Sequence, residues 1–179
     1  MAAVGIPRQA WRQGSRFGSI VGRPHMILYL DSSAIVKQYV VETGSAEVRQ
    51  AVTESEINGT SVISHAEVIA TFRKTVRAGV LREEEAVKLR RSFDRGWPDL
   101  VRTRVTERLI RHASTLAWTF GLRGYDAVHL ASAAAWRQAL GRDVTLASFD
   151  KALWMAARKI ALAPFPADLP TLLGGARKR

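Results

Sequence analysis

The hydrophobic positions of this chain change period repeatedly, and the changes mark out strand–helix units. Ile27–Leu30 is a short, unbroken apolar run of the kind that forms a strand buried on both faces. A helix is expected over Ser33–Tyr39, stopped by Gly44. A second is expected over Ala46–Ile57, closed by the turn pair Asn58-Gly59. The β-branched stretch Thr60–Ile63 reads as a strand. Ser64 then opens a long helix with Val68, Ile69, Phe72 and Val76 on one face, ending at Gly79.

Glu83–Phe93 reads as a charged helix that Gly96-Trp97-Pro98 terminates. Leu100–Val105 alternates and reads as an edge strand, with Arg102 and Arg104 pointing to the same side. Helices follow at Glu107–Phe120 and Tyr125–Leu140, the latter rich in alanine and suited to close packing on a sheet. Val144–Ala147 is a strand, Asp150–Lys159 a helix, and Ile160–Ala163 a last strand before Pro164 and Pro166. Such alternation predicts an α/β domain with a central, mainly parallel sheet. In these sheets ligands bind beyond the carboxyl ends of the strands.

Residues 1–25 break the pattern. They hold Arg8, Arg12, Arg16 and Arg23, no acid and no apolar period, and predict a flexible basic arm. An upstream start site, a nucleic-acid-binding arm and a transit-like peptide all account for it. The first is favoured because Met26 leads directly into a strand. The domain is expected over residues 26–170, followed by a basic tail at 171–179. Formal charge is +11, and without the four arginines of the arm 23 basic side chains still face 16 acidic ones. A balance that basic favours a polyanionic partner. Cysteine is absent, which excludes disulfides and thiolate metal sites and fits a cytoplasmic setting. No apolar run approaches the roughly 18 residues of a membrane span, so no membrane association is expected.

Four acids stand where a parallel sheet gathers its ligands. Asp31 follows the first strand, Glu67 lies one turn into the helix after the second, Asp126 opens the alanine-rich helix, and Asp150 follows the strand Val144–Ala147. Carboxylates brought together repel one another, and a hard divalent cation removes that cost. Mg²⁺ or Mn²⁺ held there would serve phosphodiester hydrolysis. The histidines show no zinc-binding spacing. Each acid also has a purely structural explanation. Ser64-His65-Ala66-Glu67 has the form of a capping box, and Asp31, Asp126 and Asp150 suit N-cap positions.

The segments around these acids resemble a known family. Leu28-Tyr29-Leu30-Asp31-Ser32-Ser33-Ala34 is similar to the opening motif of PIN domains, and Ser64-His65-Ala66-Glu67-Val68 to their glutamate-bearing motif. Tyr125-Asp126-Ala127-Val128-His129-Leu130-Ala131 resembles the D-A-x-H-L-A segment, and Leu146-Ala147-Ser148-Phe149-Asp150 the closing element. The resemblance implies a three-layer α/β/α fold and a metal-dependent endoribonuclease. At this size it implies a VapC-type toxin, usually a homodimer, silenced by a cognate antitoxin. It assigns Asp31, Glu67, Asp126 and Asp150 as the catalytic, metal-holding set and Ser32 and Ser148 as supporting hydroxyls. Asp31 and Asp126 are expected as direct ligands.

Arg73, Lys74, Arg77 and Arg123 are candidates for the RNA backbone, against the plainer reading of a solvated helix face. Trp97 is the candidate for base stacking, whereas Trp118, Trp136 and Trp154 are expected in the core, and His129 is given no role. The helical pair Val68–Phe93 is expected to project and form a groove for an antitoxin segment. Competing functions are a non-catalytic RNA-binding or scaffold module and a DNA-directed nuclease. A haloacid-dehalogenase-like phosphatase is disfavoured because Ser33 stands where a second acid is needed.

Overall fold

Strand β1, Ile27–Leu30, is buried along its whole length, and its alternating side chains divide the molecule. Ile27 and Tyr29 enter one hydrophobic core and Leu28 and Leu30 the other. A strand with two apolar faces requires cover on both, and the result is a sheet sandwiched between helical layers. This arrangement comes from a computed structural model that describes residues 26–175. The expected basic arm, residues 1–25, lies outside the described residues, as do residues 176–179 of the tail.

Five strands form one all-parallel sheet in the order β3-β2-β1-β4-β5, with β2 at Ile57–Ser61, β3 at Val101–Thr103, β4 at Val144–Ala147 and β5 at Ala163–Phe165. The order steps outward from β1 in both directions, so the carboxyl ends of β1 and β4 flank a topological switch point. Helices α1 (Ser32–Tyr39), α2 (Ser45–Glu54), α3 (Ser64–Arg77) and α4 (Glu83–Gly96) supply the core around Leu28 and Leu30. Helices α5 (Glu107–Phe120), α6 (Gly124–Leu140) and α7 (Lys151–Lys159) supply the core around Tyr29. Helix α8, Leu169–Gly175, runs across the boundary that the sequence pattern put at 170. Among the described residues, no helix is long and apolar enough to cross a membrane.

Several expected elements shift, each for a local reason. The second helix stops at Glu54 rather than Ile57, and Asn58-Gly59 sits inside β2 instead of forming a turn. Gly59 is required there by packing: a Cβ would overlap the Trp136 ring and come within 2.6 Å of the Val101 carbonyl oxygen. Asn58 is held by Ser55 Oγ, which donates to its Oδ1 at 2.7 Å, and by its own amide donating to the Val52 carbonyl at 3.0 Å. The last strand begins at Ala163 rather than Ile160, because Ala161 takes a φ of 58° and turns the chain after α7. β3 is an edge strand as expected but covers only Val101–Thr103. Arg102 folds back to donate to the carbonyls of Trp97 and Leu100.

The α3–α4 pair is anchored to the body of the domain along one face. Val68, Phe72, Leu89 and Phe93 turn inward and fill the second core. Trp136 and Trp154 pack against the interior as expected, but Trp118 is 92% exposed. Trp97 is half-buried, in edge contacts with His65 and Phe93 and with the Arg102 guanidinium 5.6 Å from its ring centroid.

Candidate active site at the sheet switch point

Asp31 leaves β1 at the switch point and caps α1. Its Oδ1 accepts from the Ala34 amide at 2.8 Å and from Ser33 Oγ at 2.7 Å. Ser148, at the end of β4, donates to Asp31 Oδ2 at 2.6 Å and accepts from the Asp150 amide at 3.1 Å. Ser33 Oγ in turn accepts from the Phe149 amide at 2.8 Å. The two strand ends are thereby tied together through one carboxylate that is only 4% exposed. Burial pushes the Asp31 carboxyl above its ordinary range, against the lowering effects of His129 and these hydrogen bonds.

The capping-box reading of Ser64 and Glu67 does not describe this helix. Ile63 occupies the N-cap of α3 with no side-chain cap, and Ser64 Oγ is buried against Thr60 Oγ1 at 2.6 Å. Glu67 is free of the helix start and reaches across to the other layer. Its Oε2 accepts from Ser32 Oγ at 2.6 Å and faces His129 Nε2 at 2.9 Å. His129 Nδ1 stands 3.1 Å from the Tyr29 hydroxyl. A nitrogen facing a carboxylate carries a proton, so Nε2–H donates to Glu67. Burial alone would push the Glu67 carboxyl up. The hydrogen bonds from His129 and Ser32, with the charge of His129, outweigh it and hold Glu67 below its usual range.

His129 is the functional residue that sequence reasoning passed over. It lies one turn after Asp126 and is 2% exposed. The available signal was its spacing: positions three apart share a helix face, and that face carries Asp126.

Asp126 is not an N-cap either. Arg123 holds that position without a side-chain cap, and Asp126 sits half-buried in the first turn of α6. Its carboxyl is pushed up to about 6 by burial first, then by the negative charges of Asp150 and Asp31. His129 and Arg123 oppose that shift. Asp150 does cap α7, accepting from the Leu153 amide at 2.9 Å. Asp126 therefore lies within reach of the charges of both Asp31 and Asp150. Glu67 joins them through Ser32 and His129.

Of the cationic candidates, Arg123 lies within the electrostatic reach of Asp126. Arg73, Lys74 and Arg77 are exposed on α3, and Arg73 pairs with Glu83.

The donor set is all oxygen, which suits a hard cation such as Mg²⁺ or Mn²⁺. Among the described residues, no group of three or more acidic or histidine side chains is gathered tightly enough to enclose one ion. That is compatible with Mg²⁺, which keeps several waters and needs only one or two direct carboxylates. Asp31 and Asp126, the first of which acts electrostatically on the second, are the candidates for that role.

A parallel, doubly wound sheet with acids clustered at its switch point defines the chain as an α/β protein with an acidic site of the PIN type. The family model described as PIN domain matches residues 28–159, and the chain belongs to the PIN-domain family. Two relatives from Mycobacterium tuberculosis, ribonuclease VapC45 and ribonuclease VapC49, are each 34% identical over 109 residues, covering 61% of this chain and 76% of theirs. Within the family, the chain is therefore of the VapC type. The crystal structure of PAE2754 from Pyrobaculum aerophilum superposes with a TM-score of 0.56 over 89% of this chain and 95% of that one. At 18% identity that likeness concerns the fold alone.

Proposed function

We propose that this chain is the endoribonuclease of a toxin–antitoxin pair and hydrolyses RNA phosphodiesters with Mg²⁺ or Mn²⁺. The observation that carries the reading is Asp126 at the switch point, within reach of the charges of Asp31 and Asp150. Repelling carboxylates are costly to a fold and become useful around a cation. The two ribonuclease-named relatives support the nuclease class.

Asp31 and Asp126 would hold the ion directly, with Glu67 and Asp150 completing the site or acting through water. When bound, the ion supplies Lewis acidity toward the phosphate and lowers the pKa of the attacking water. The chain's own residues fix the geometry. Ser148 and Ser33 orient Asp31, and Ser32 and His129 hold Glu67 ionised and aimed at the site. Asp150 keeps one oxygen on the Leu153 amide while its charge faces Asp126. Attack by water with departure of the 3′ oxygen leaves a 5′-phosphate and a 3′-hydroxyl. Arg123, whose charge acts on Asp126, would receive the RNA backbone there, and Arg73, Lys74 and Arg77 would extend that contact along α3.

The pairing with a cognate antitoxin, a homodimeric state and a cytoplasmic location belong to the same proposal. The test is incubation of RNA with the protein and Mn²⁺ or Mg²⁺, with EDTA and Asp31→Asn controls and a parallel single-stranded DNA. Cleavage of RNA that both controls abolish is expected. Products ending in a 2′,3′-cyclic phosphate would rule out the hydrolytic route, and RNA binding without cleavage would favour a non-catalytic module. Co-expression with the adjacent small reading frame, followed by copurification and sizing, tests the pairing and the dimer.

A further inference from the structure

Ser32 and Glu67 face two ways. Besides joining the acid cluster, they form one end of a cavity of about 480 Å³ between α1 and α3. That volume lies within the roughly 300–1,000 Å³ typical of small-ligand sites. Its walls are Val36 and Val40 on one side and Phe149 on another, with Val80, 46% exposed, at the rim. We propose that this cavity receives the base of the nucleotide adjoining the phosphodiester bound at the acids. The inference rests on the nuclease reading above and names where that substrate is held.

The wall is rigid. Phe149 is locked on one side by Gly44, where a Cβ would overlap the ring, 2.7 Å from Cζ. On its face lies the Lys37 ammonium, 4.1 Å from the ring centroid. Lys37 is a buried charge that the catalytic site does not use. Its Nζ donates to Glu42 Oε1 at 2.6 Å and to the Thr43 carbonyl at 2.8 Å. Paired in this way, it leaves no free positive charge among the described residues that line the cavity.

That electrostatic condition selects the occupant. Glu67 lines the cavity, and among the described residues lining it no cation is left unpaired, so a phosphate would be repelled. A flat, neutral, largely apolar group is accepted. The protein as a whole carries +11, which favours a polyanion. A ligand that brings a phosphate to the acids and an uncharged ring one step away is a nucleotide of an RNA strand.

Helix α3 also supplies a polar edge. Glu67, Thr71 and Thr75 are four residues apart and form one stripe along the cavity. Thr71 Oγ1 donates to the Glu67 carbonyl at 2.8 Å and Thr75 Oγ1 to the Phe72 carbonyl at 2.8 Å. Their hydrogens are committed to the helix, so either hydroxyl would meet a ligand only as an acceptor. An acceptor-only edge favours a base that presents an amino group over one that does not.

The experiment uses the full chain with Mn²⁺ and a mixed-sequence single-stranded RNA in which iodocytidine replaces cytidine. One irradiated incubation is read twice, on a gel for cleavage and by mass spectrometry for the crosslinked peptide. Adducts on Phe149 or within residues 71–80 are expected. Thr75→Leu, which fills the cavity without adding an aromatic ring, should lower the adduct yield about tenfold. Val80→Glu, at the exposed rim, should do the same if Thr75→Leu does not fold, which a circular-dichroism melt reveals. Adducts confined to other surfaces, or none, overturn the proposal and leave the cavity to a protein segment. Adducts in the cavity without cleavage would sink the nuclease reading and keep the pocket. Cleavage with adducts elsewhere would do the reverse.

Discussion

His129 Nε2 stands 2.9 Å from Glu67 Oε2, although the two residues are 62 positions apart and lie on opposite helical layers. The contact passes over the carboxyl end of the sheet, with Tyr29 of β1 behind the imidazole and Ser32 beside the carboxylate. A buried network in which every member is satisfied fixes each side chain in one orientation.

Removing the imidazole should therefore cost both stability and geometry. His129→Ala leaves the Tyr29 hydroxyl without its partner in a buried site and releases Glu67. The expected loss is about 1–3 kcal/mol in urea unfolding, with RNA cleavage falling further than the unfolded fraction explains. His129→Gln, which can still donate to Glu67, should recover part of both. A variant as stable and as active as the parent would show that Glu67 needs no such support.

The acid cluster should make metal-free protein less stable as pH rises through the range between 3.8 and about 6. The folded-state pKa of Asp126 lies above its unfolded value. In that window the native chain therefore holds the proton more often than the unfolded one, and the stability slope is negative. Asp31 shifts in the same direction. Glu67, held below its usual range, works oppositely and loses its contribution as pH falls. Because Asp126 is partly solvated, the effect should be on the order of 1–2 kcal/mol. Asp126→Asn should flatten the profile, and added Mn²⁺ should raise the melting temperature of the parent most above the window. Melting curves that do not depend on pH between those limits would contradict the coupling.

Ser148→Ala removes the hydroxyl that ties the end of β4 to Asp31 and leaves a buried carboxylate oxygen short of a donor. A loss of about 1–3 kcal/mol is expected by chemical denaturation. Ser148→Thr tests whether the hydroxyl, rather than small size, is what counts. Equal stability of Ser148→Ala and parent would mean that water replaces the bond.

Gly59→Ala should destabilise the fold by about 1–3 kcal/mol or more, because the added methyl meets the Trp136 ring and the backbone of β3. Trp136→Phe, which withdraws part of that ring, should recover some of the loss in the double variant. Additive effects of the two changes in a denaturation cycle would show that the two side chains do not share the space.

How much of this was legible along the chain depended on the range of the interaction. The strand Ile27–Leu30, the helices around it and the positions of all four acids followed from local apolar period and from motifs a few residues long. Asn58-Gly59 misled because its turn-like pair serves close packing with Trp136, which is more than 70 positions away in sequence. Ser64 and Glu67 had the spacing of a capping box but are used by Thr60, Ser32 and His129. Trp118 has a helical position compatible with burial, yet its side of α5 faces outward.

The sequence by itself determined an α/β chain with a doubly buried first strand, a basic balance and carboxylates at the strand ends. These are properties of neighbouring residues, set by backbone sterics and hydrophobic period. Only the tertiary structure decided which acids feel one another, that His129 holds Glu67, and that a neutral cavity opens beside them. Those depend on strand order and on the sides from which helices cross the sheet. A local pattern does not encode them, because each contact joins residues whose separation along the chain says nothing of their separation in space.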